Sequence, residues 1–241
     1  VRLLASTTAY TVPVTLTATG VVLFADISGF TKLTERLCQE GGVGVELLAS
    51  TLSAYFGQVI DSINRYGGEV VKFAGDGLTA LWTETPDGEA AARAGACALA
   101  LQQTLSGGQP VHGVRMAMRI GVGLGDTTLR QLGGHAGRWE FVFSGPALTE
   151  ASLVCPQAAP SEVVLSPSVA TRLGARVIGE PLPDDAGLRL ISLRTPPLIE
   201  PRQEPVLRPA LRPALRACVP PAVLDRYDAG QSAWLTELRR V

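Results

Sequence analysis

"VVLFADISGFTKLTE" (residues 21–35) starts as a strand, ends as a helix and carries a carboxylate at the junction. The run "GVVLFAD" (20–26) is short, apolar and valine-rich, the pattern of a fully buried strand. Ser28 is the candidate N-cap of the helix that follows, in which Phe30, Leu33 and Leu37 recur at helical spacing. Asp26 therefore closes a buried strand just before the amides that a helix N-terminus leaves without partners. Taken alone, it reads as a cap or turn residue.

Working outward, "GGVGVELLASTLSAYFGQVIDSINRYGG" (41–68) predicts an amphipathic helix stopped at Gly67-Gly68. "EVVKFAGDGLTALW" (69–82) predicts two short strands around Gly75-Asp76-Gly77, since Asp-Gly between apolar runs is a strong hairpin signal. An alanine-rich helix is expected over 87–105, with Asp87 as its cap. Strands are expected at 114–126, 138–145 and 162–167, with a helix at 146–155. Residues 1–19 show no clear period. The texture changes from about Pro181: 195–221 is Pro/Arg-rich and reads as an extended linker, and 222–241 as helical. The order β-α-β-β-α-β predicts an α+β fold, ferredoxin-like βαββαβ with extra αβ elements, in which helices cover one face of a mostly antiparallel sheet.

A chain of 241 residues, 46% hydrophobic, has ample material for one large domain or one domain with an appendage. Its net charge of −1 gives no bulk attraction to nucleic acid or an anionic membrane. No apolar run approaches the ~18 residues of a spanning helix, and no signal peptide is visible. The four cysteines, Cys38, Cys97, Cys155 and Cys218, form no C-x-x-C pair and have no histidine at ligand spacing, so they read as reduced cytosolic thiols, mostly core filler. The expected location is cytoplasmic. His112 and His135 lie in Gly-rich segments without a nucleophile and read as surface or loop residues. The arginines of 202–216 lack interleaved aromatics, against a nucleic-acid site.

Asp76 alone needs only turn chemistry. Together with Asp26 it says more. In a β-α-β-β unit the first strand can lie beside the hairpin, so the two carboxylates converge and repel unless a cation sits between them. A hard divalent ion completed by substrate phosphates is the natural partner. Residues Ile27 to Thr31 turn the chain into a helix whose free amides suit an anion, and Gly29 admits a ligand close to the backbone.

"FADISGFTKLTE" and "GGEVVKFAGDGLTALW" resemble class III nucleotidyl cyclases, most of all the first catalytic half of the soluble, bicarbonate-responsive adenylyl cyclases and their bacterial relatives. The resemblance covers roughly residues 20 to 170. It implies that Asp26 and Asp76, with the Ile27 carbonyl, hold two Mg²⁺ or Mn²⁺ ions. It also implies that the amides of Gly29, Phe30 and Thr31, beside Gly75, take the terminal phosphates of ATP as it cyclises to cAMP and pyrophosphate. The domain plan it implies is a lead-in (1–19), a cyclase catalytic-type domain (20–194) and a linker with helical connector (195–241). The tail "LTELRRV" resembles the connector to a second cyclase domain in the same polypeptide, and a first residue other than Met suggests a piece of a longer chain.

Cyclase sites of this family form between two domains, one of which brings an Asn and an Arg that stabilise the transition state. Here their places fall near Thr149 and Ser152, and the strand position that accepts from the adenine amino group falls near Val142. Lys72, four residues before Asp76, stands where one half reads the purine and the other helps bind bicarbonate. Lys72, Val142 and Ser152 are thus the regulatory or base-side positions. A symmetric homodimer is expected to be inactive or very weak. The alternative is a non-catalytic nucleotide-sensing or dimerisation module that regulates an attached effector. The glycines of "GVGLGD" (121–126) serve either close packing or backbone approach to a nucleotide.

Overall fold

The computed structural model describes residues 13–106, 113–114, 116–199 and 212–230. Strand β1 spans Val14–Ser28 and is longer than the run 20–26 predicts. Its first half alternates exposed Thr15, Thr17 and Thr19 with half-buried Val14, Leu16 and Ala18, a period of two that threonines carry as well as apolar residues do. Helices α1 (Phe30–Cys38) and α2 (Gly42–Arg65) follow, then β2 (Glu69–Ala74), β3 (Gly77–Thr83) and α3 (Ala90–Ser106). Next come β4 (Ala117–Gly133), β5 (Trp139–Ser144), α4 (Pro146–Val154), β6 (Val163–Leu165) and α5 (Pro167–Leu173). The hairpin β7 (Val177–Pro181) and β8 (Leu188–Leu193), and the short helices α6 (Arg212–Ala217) and α7 (Pro221–Asp228), complete the described elements.

The strands form one sheet in the order β2-β3-β1-β4-β6-β8-β7, with β5 paired to the far half of β4. Pairing is antiparallel except where β6 runs parallel to β4, Ile120 opposite Val163. The α+β class is as expected. The hairpin β7–β8 is not legible before Pro181, and α6 lies in the stretch read as extended linker. Of the C-terminal helix expected over 222–241, α7 ends at Asp228, and residues 231–241 lie outside the described residues.

Alternation divides β1 cleanly. Val21, Leu23, Ala25 and Ile27 enter the main core with Leu33 and Leu37 of α1, Leu48, Val59 and Ile63 of α2, Cys97 and Leu101 of α3 and Val169 of α5. Trp82 is buried there, its Nε1 donating to the Tyr66 carbonyl at 2.9 Å. By length and composition α2 could cross a membrane, which the search for apolar runs missed; one face of it packs into the core through Leu48, Val59 and Ile63, and Glu46, Asp61 and Arg65 are exposed.

Helix α4 corrects the expectation that helices cover a single face. It packs on the other side of the sheet, where Ala147 and Ala151 meet Val22 and Leu81. Glycine makes this possible. A Cβ on Gly121 would lie 2.2 Å from the Ala151 carbonyl oxygen, and one on Gly123 2.3 Å from that of Ala147. The glycines of 121–126 thus serve close helix–strand packing.

Candidate functional site

Strand β1 lies between β3 and β4, so its one acidic residue, Asp26, has a neighbour on each side. Asp26 is opposite Gly77 on β3 and opposite Arg119 on β4. Ala74 pairs with Gly77, which makes Gly75-Asp76 a two-residue hairpin loop. The turn is thus one residue earlier than Asp-Gly suggests: Gly75 takes the positive φ of +62° and Gly77 already belongs to the strand. Asp76 therefore stands beside Asp26, one residue along the adjacent strand. Among the described residues no group of three or more potential metal-ligating side chains forms.

Past Ser28 the chain reverses at Gly29, whose φ is +93°, and α1 begins with Phe30. Ser28 is the last strand residue and does not cap the helix, contrary to the sequence reading; Gly29 holds the N-cap position without a side-chain bond. The first turn holds no acidic residue, and the first amide bonded back into the helix is that of Leu33, to the Gly29 carbonyl at 3.0 Å. Among the described residues the amides of Phe30 and Thr31 have no backbone acceptor, as a helix N-terminus leaves them.

Two further polar groups belong here. Arg119 faces the same side as Asp26, and its Nε is buried without a hydrogen-bond partner among the described residues, as is the Ser28 Oγ. Two carboxylates, a guanidinium nitrogen, a hydroxyl and uncapped amides around one strand end fit a metal–polyphosphate complex better than an apolar ligand. Behind them lies Cys155, 2% exposed, its Sγ 3.6 Å from the Arg119 carbonyl. Burial first, and the charge of Asp26 second, push its thiol up to about 11. Sequence reasoning missed Arg119 and Cys155 as site residues: the β1–β4 register that finds Arg119 spans about ninety residues of chain, and Cys155 comes with the helix α4 that packs on the sheet.

The base-side positions lie on separate elements. Lys72 pairs with Thr79, which pairs with Phe24, two positions from Asp26 on the same face, and its side chain is exposed. Val142 is opposite Arg130 on the β4–β5 arm, 43% exposed. On α4 the Ser152 hydroxyl donates to the Leu148 carbonyl at 2.6 Å and that of Thr149 to the Gly145 carbonyl at 3.3 Å. Both are turned back onto their own helix, while Leu153 is 67% exposed. His135 is exposed in the loop before β5, and His112 is outside the described residues. No disulfide joins the four cysteines; Cys97 and Cys155 are buried, Cys38 is exposed and Cys218 is half-buried, so the core-filler reading fits only the first two.

A helix-flanked sheet with two aspartates at adjacent strand ends beside a helix N-terminus is the arrangement expected of a nucleotide cyclase domain. Residues 14–180 match the adenylate and guanylate cyclase catalytic domain family, and the chain belongs to it. Among curated relatives it is similar to adenylate cyclase type 10 of Mus musculus, 28% identical over 183 residues that cover 74% of this chain and 11% of the relative. The Homo sapiens protein of that name is 27% identical over the same shares. The chain thus spans about a tenth of the length of these relatives. Solved structures share the fold. The guanylyl cyclase domain of the RhoGC fusion protein from Blastocladiella emersonii superposes with a TM-score of 0.62 at 21% identity, covering 75% of this chain and 99% of that one. The adenylyl cyclase CyaB from P. aeruginosa gives 0.60 at 18%, covering 78% and 100%.

Proposed function

We propose that this chain is the metal- and phosphate-binding half of an adenylyl cyclase, acting with a second cyclase domain, in the same polypeptide, to convert ATP to cAMP and pyrophosphate. The observation that carries this is the register that sets Asp26 beside the Asp76 turn, next to the uncapped start of α1. Asp26, Asp76 and the Ile27 carbonyl would hold two divalent ions, Mg²⁺ or Mn²⁺. When bound, such ions acidify the ribose 3′-hydroxyl and neutralise charge on the α-phosphoryl group and departing pyrophosphate. The amides of Gly29, Phe30 and Thr31 would bind the terminal phosphates, with Arg119, opposite Asp26, as a further positive charge and Gly75 keeping the hairpin tip free of a side chain. ATP is preferred to GTP on the similarity to adenylate cyclase type 10.

Base selection and transition-state charge are left to the partner, because α4 offers neither Asn nor Arg and turns its hydroxyls inward. Lys72, Val142 and Ser152 then line the second, pseudo-symmetric pocket of the pair. Four cysteines without a disulfide fit a reducing, cytoplasmic setting. The domain plan of lead-in, cyclase domain to 194 and connector stands as part of this proposal.

Titration of the chain with Mn²⁺ and a non-cyclisable ATP analogue, followed by electron paramagnetic resonance, tests the binding half. Asp26→Asn and Asp76→Ala are each expected to abolish nucleotide-dependent Mn²⁺ uptake; uptake undiminished in both would overturn the assignment. The lack of Asn and Arg on α4, whose Thr149 and Ser152 hydroxyls bond back to its own backbone, also favours a second reading, a nucleotide-sensing module without turnover. Binding that persists with no cAMP or cGMP formed alongside a competent partner domain would select it.

A further inference from the structure

Glu150 takes no part in the site above, yet its carboxylate gathers three donors from two other regions of the chain. Its Oε2 accepts from the Ser166 hydroxyl at 2.7 Å and from the Leu124 amide at 3.3 Å, and its Oε1 from the Ser168 hydroxyl at 2.7 Å. No basic side chain pairs with it among the described residues. The three bonds tie α4 to β4 and to the turn between β6 and α5, where Ser166 also caps α5 by accepting from the Val169 amide. They hold α4 down on the strip of β4 cleared by Gly121 and Gly123.

The far end of α4 touches the candidate site. Cys155 follows its last turn, and its thiol donates to the Arg119 carbonyl at 3.6 Å. Its backbone also sits close on β4, where a Cβ on Gly121 would lie 2.7 Å from the Cys155 nitrogen. Contacts therefore run from Ser166 and Ser168 through Glu150 and α4 to Cys155 and Arg119, and Arg119 is opposite Asp26 in the β1–β4 register.

We propose that Glu150 is a positioning residue for the acidic pair, fixing α4 so that Cys155 braces β1 and β4 at Asp26 and Arg119. The role rests on the metal-binding reading of Asp26 and Asp76 only where metal affinity is the readout. A carboxylate suits the place because all three neighbours donate. A glutamine can replace it, its oxygen taking the Leu124 amide and the Ser166 hydroxyl and its amide donating to the Ser168 oxygen. An alanine strands the Leu124 amide and frees the helix.

The test compares Glu150→Ala, Glu150→Gln and, as a control on the exposed side of α4, Leu153→Ala, all well below their melting temperatures. Hydrogen exchange of peptides covering 21–28 and 117–124 is expected to quicken about tenfold in Glu150→Ala, and to change little in the other two. Mn²⁺ affinity in the presence of the ATP analogue is expected to weaken by about tenfold in Glu150→Ala, the usual effect of losing an outer support, with glutamine restoring it. A lower melting temperature with unchanged exchange in both peptides would make Glu150 a plain structural anchor and overturn the proposal. Should Glu150→Ala fail to fold, Ser168→Ala, which removes one donor, carries the same comparison with a smaller rise. If the parent chain takes up no Mn²⁺ with nucleotide, the metal reading of the aspartates falls, and the exchange data still decide the role of Glu150.

Discussion

Substituting Gly123 by alanine strikes the contact that places α4 on the site face of the sheet. Gly123 is opposite Val22. A Cβ there would lie 2.3 Å from the Ala147 carbonyl oxygen, 2.5 Å from the Ala151 nitrogen and 2.8 Å from the Glu150 Cβ. All three atoms are helix backbone or the first atom of a side chain, so no rotamer change gives relief and the helix must lift by about an ångström. Overpacking of this kind costs about 1–3 kcal/mol. Lifting α4 also stretches the bonds of Glu150, for about 1 kcal/mol more. At roughly 2–4 °C per kcal/mol for a chain of this size, the melting temperature should fall by about 5–15 °C. Differential scanning calorimetry reads this directly. Gly57, inside α2 with nothing within 4 Å of an added Cβ, is the internal control. Its alanine variant should gain about 0.5–1 kcal/mol from the helix preference alone. A Gly123→Ala melting temperature within about 2 °C of the parent would refute the placement of α4 on β4.

Trp82→Phe removes the bond from Nε1 to the Tyr66 carbonyl and should cost about 1–2 kcal/mol in urea unfolding, chiefly from the stranded carbonyl. Cys155, buried and with its thiol pushed up to about 11, should resist iodoacetamide at pH 8 while exposed Cys38 is alkylated first, as peptide mass spectrometry would show. The Arg176 guanidinium, hydrogen-bonded to Glu89 at 2.6 Å and 3.0 Å, holds the Glu89 carboxyl below its ordinary value of 4.5. A depressed folded pKa gives stability that is fully present above the unfolded value and lost as pH falls through the lower folded one. Glu89→Gln should therefore lose under about 1 kcal/mol at pH 7, since the pair is partly solvated, and nothing in acid below the folded pKa. An equal loss at both pH values would point to packing instead.

What a local pattern can carry is legible in this sequence: a buried strand with a carboxylate near its end, an amphipathic helix with a glycine stop, and a hairpin with a second carboxylate. Less legible are features set by contacts across the chain. The companion of Asp26 on its other side, Arg119, follows from a register between segments about ninety residues apart, which no local period encodes. The seat of α4 rests on Gly121 and Gly123, whose absent side chains suit helix packing and ligand approach equally until the topology is known. The first half of β1 hides for another reason. Its residues are half-buried rather than core, so hydrophobicity is muted and only the alternation of threonines marks the strand. Ser28 misleads as a cap because Gly29, in the left-handed region, turns the chain one residue later.

The central claim is that Asp26 and Asp76 serve a cyclase site completed by another domain. Mixing tests it most directly: this chain, or its Asp76→Ala variant, with a cyclase domain that carries the purine-reading residues, Asn and Arg but has lost its own metal aspartates. Supplied with Mn²⁺-ATP, the parent chain should restore cAMP formation and the variant should not. Equal cAMP from both mixtures would contradict the account, because the metals would then be held by something other than this acidic pair.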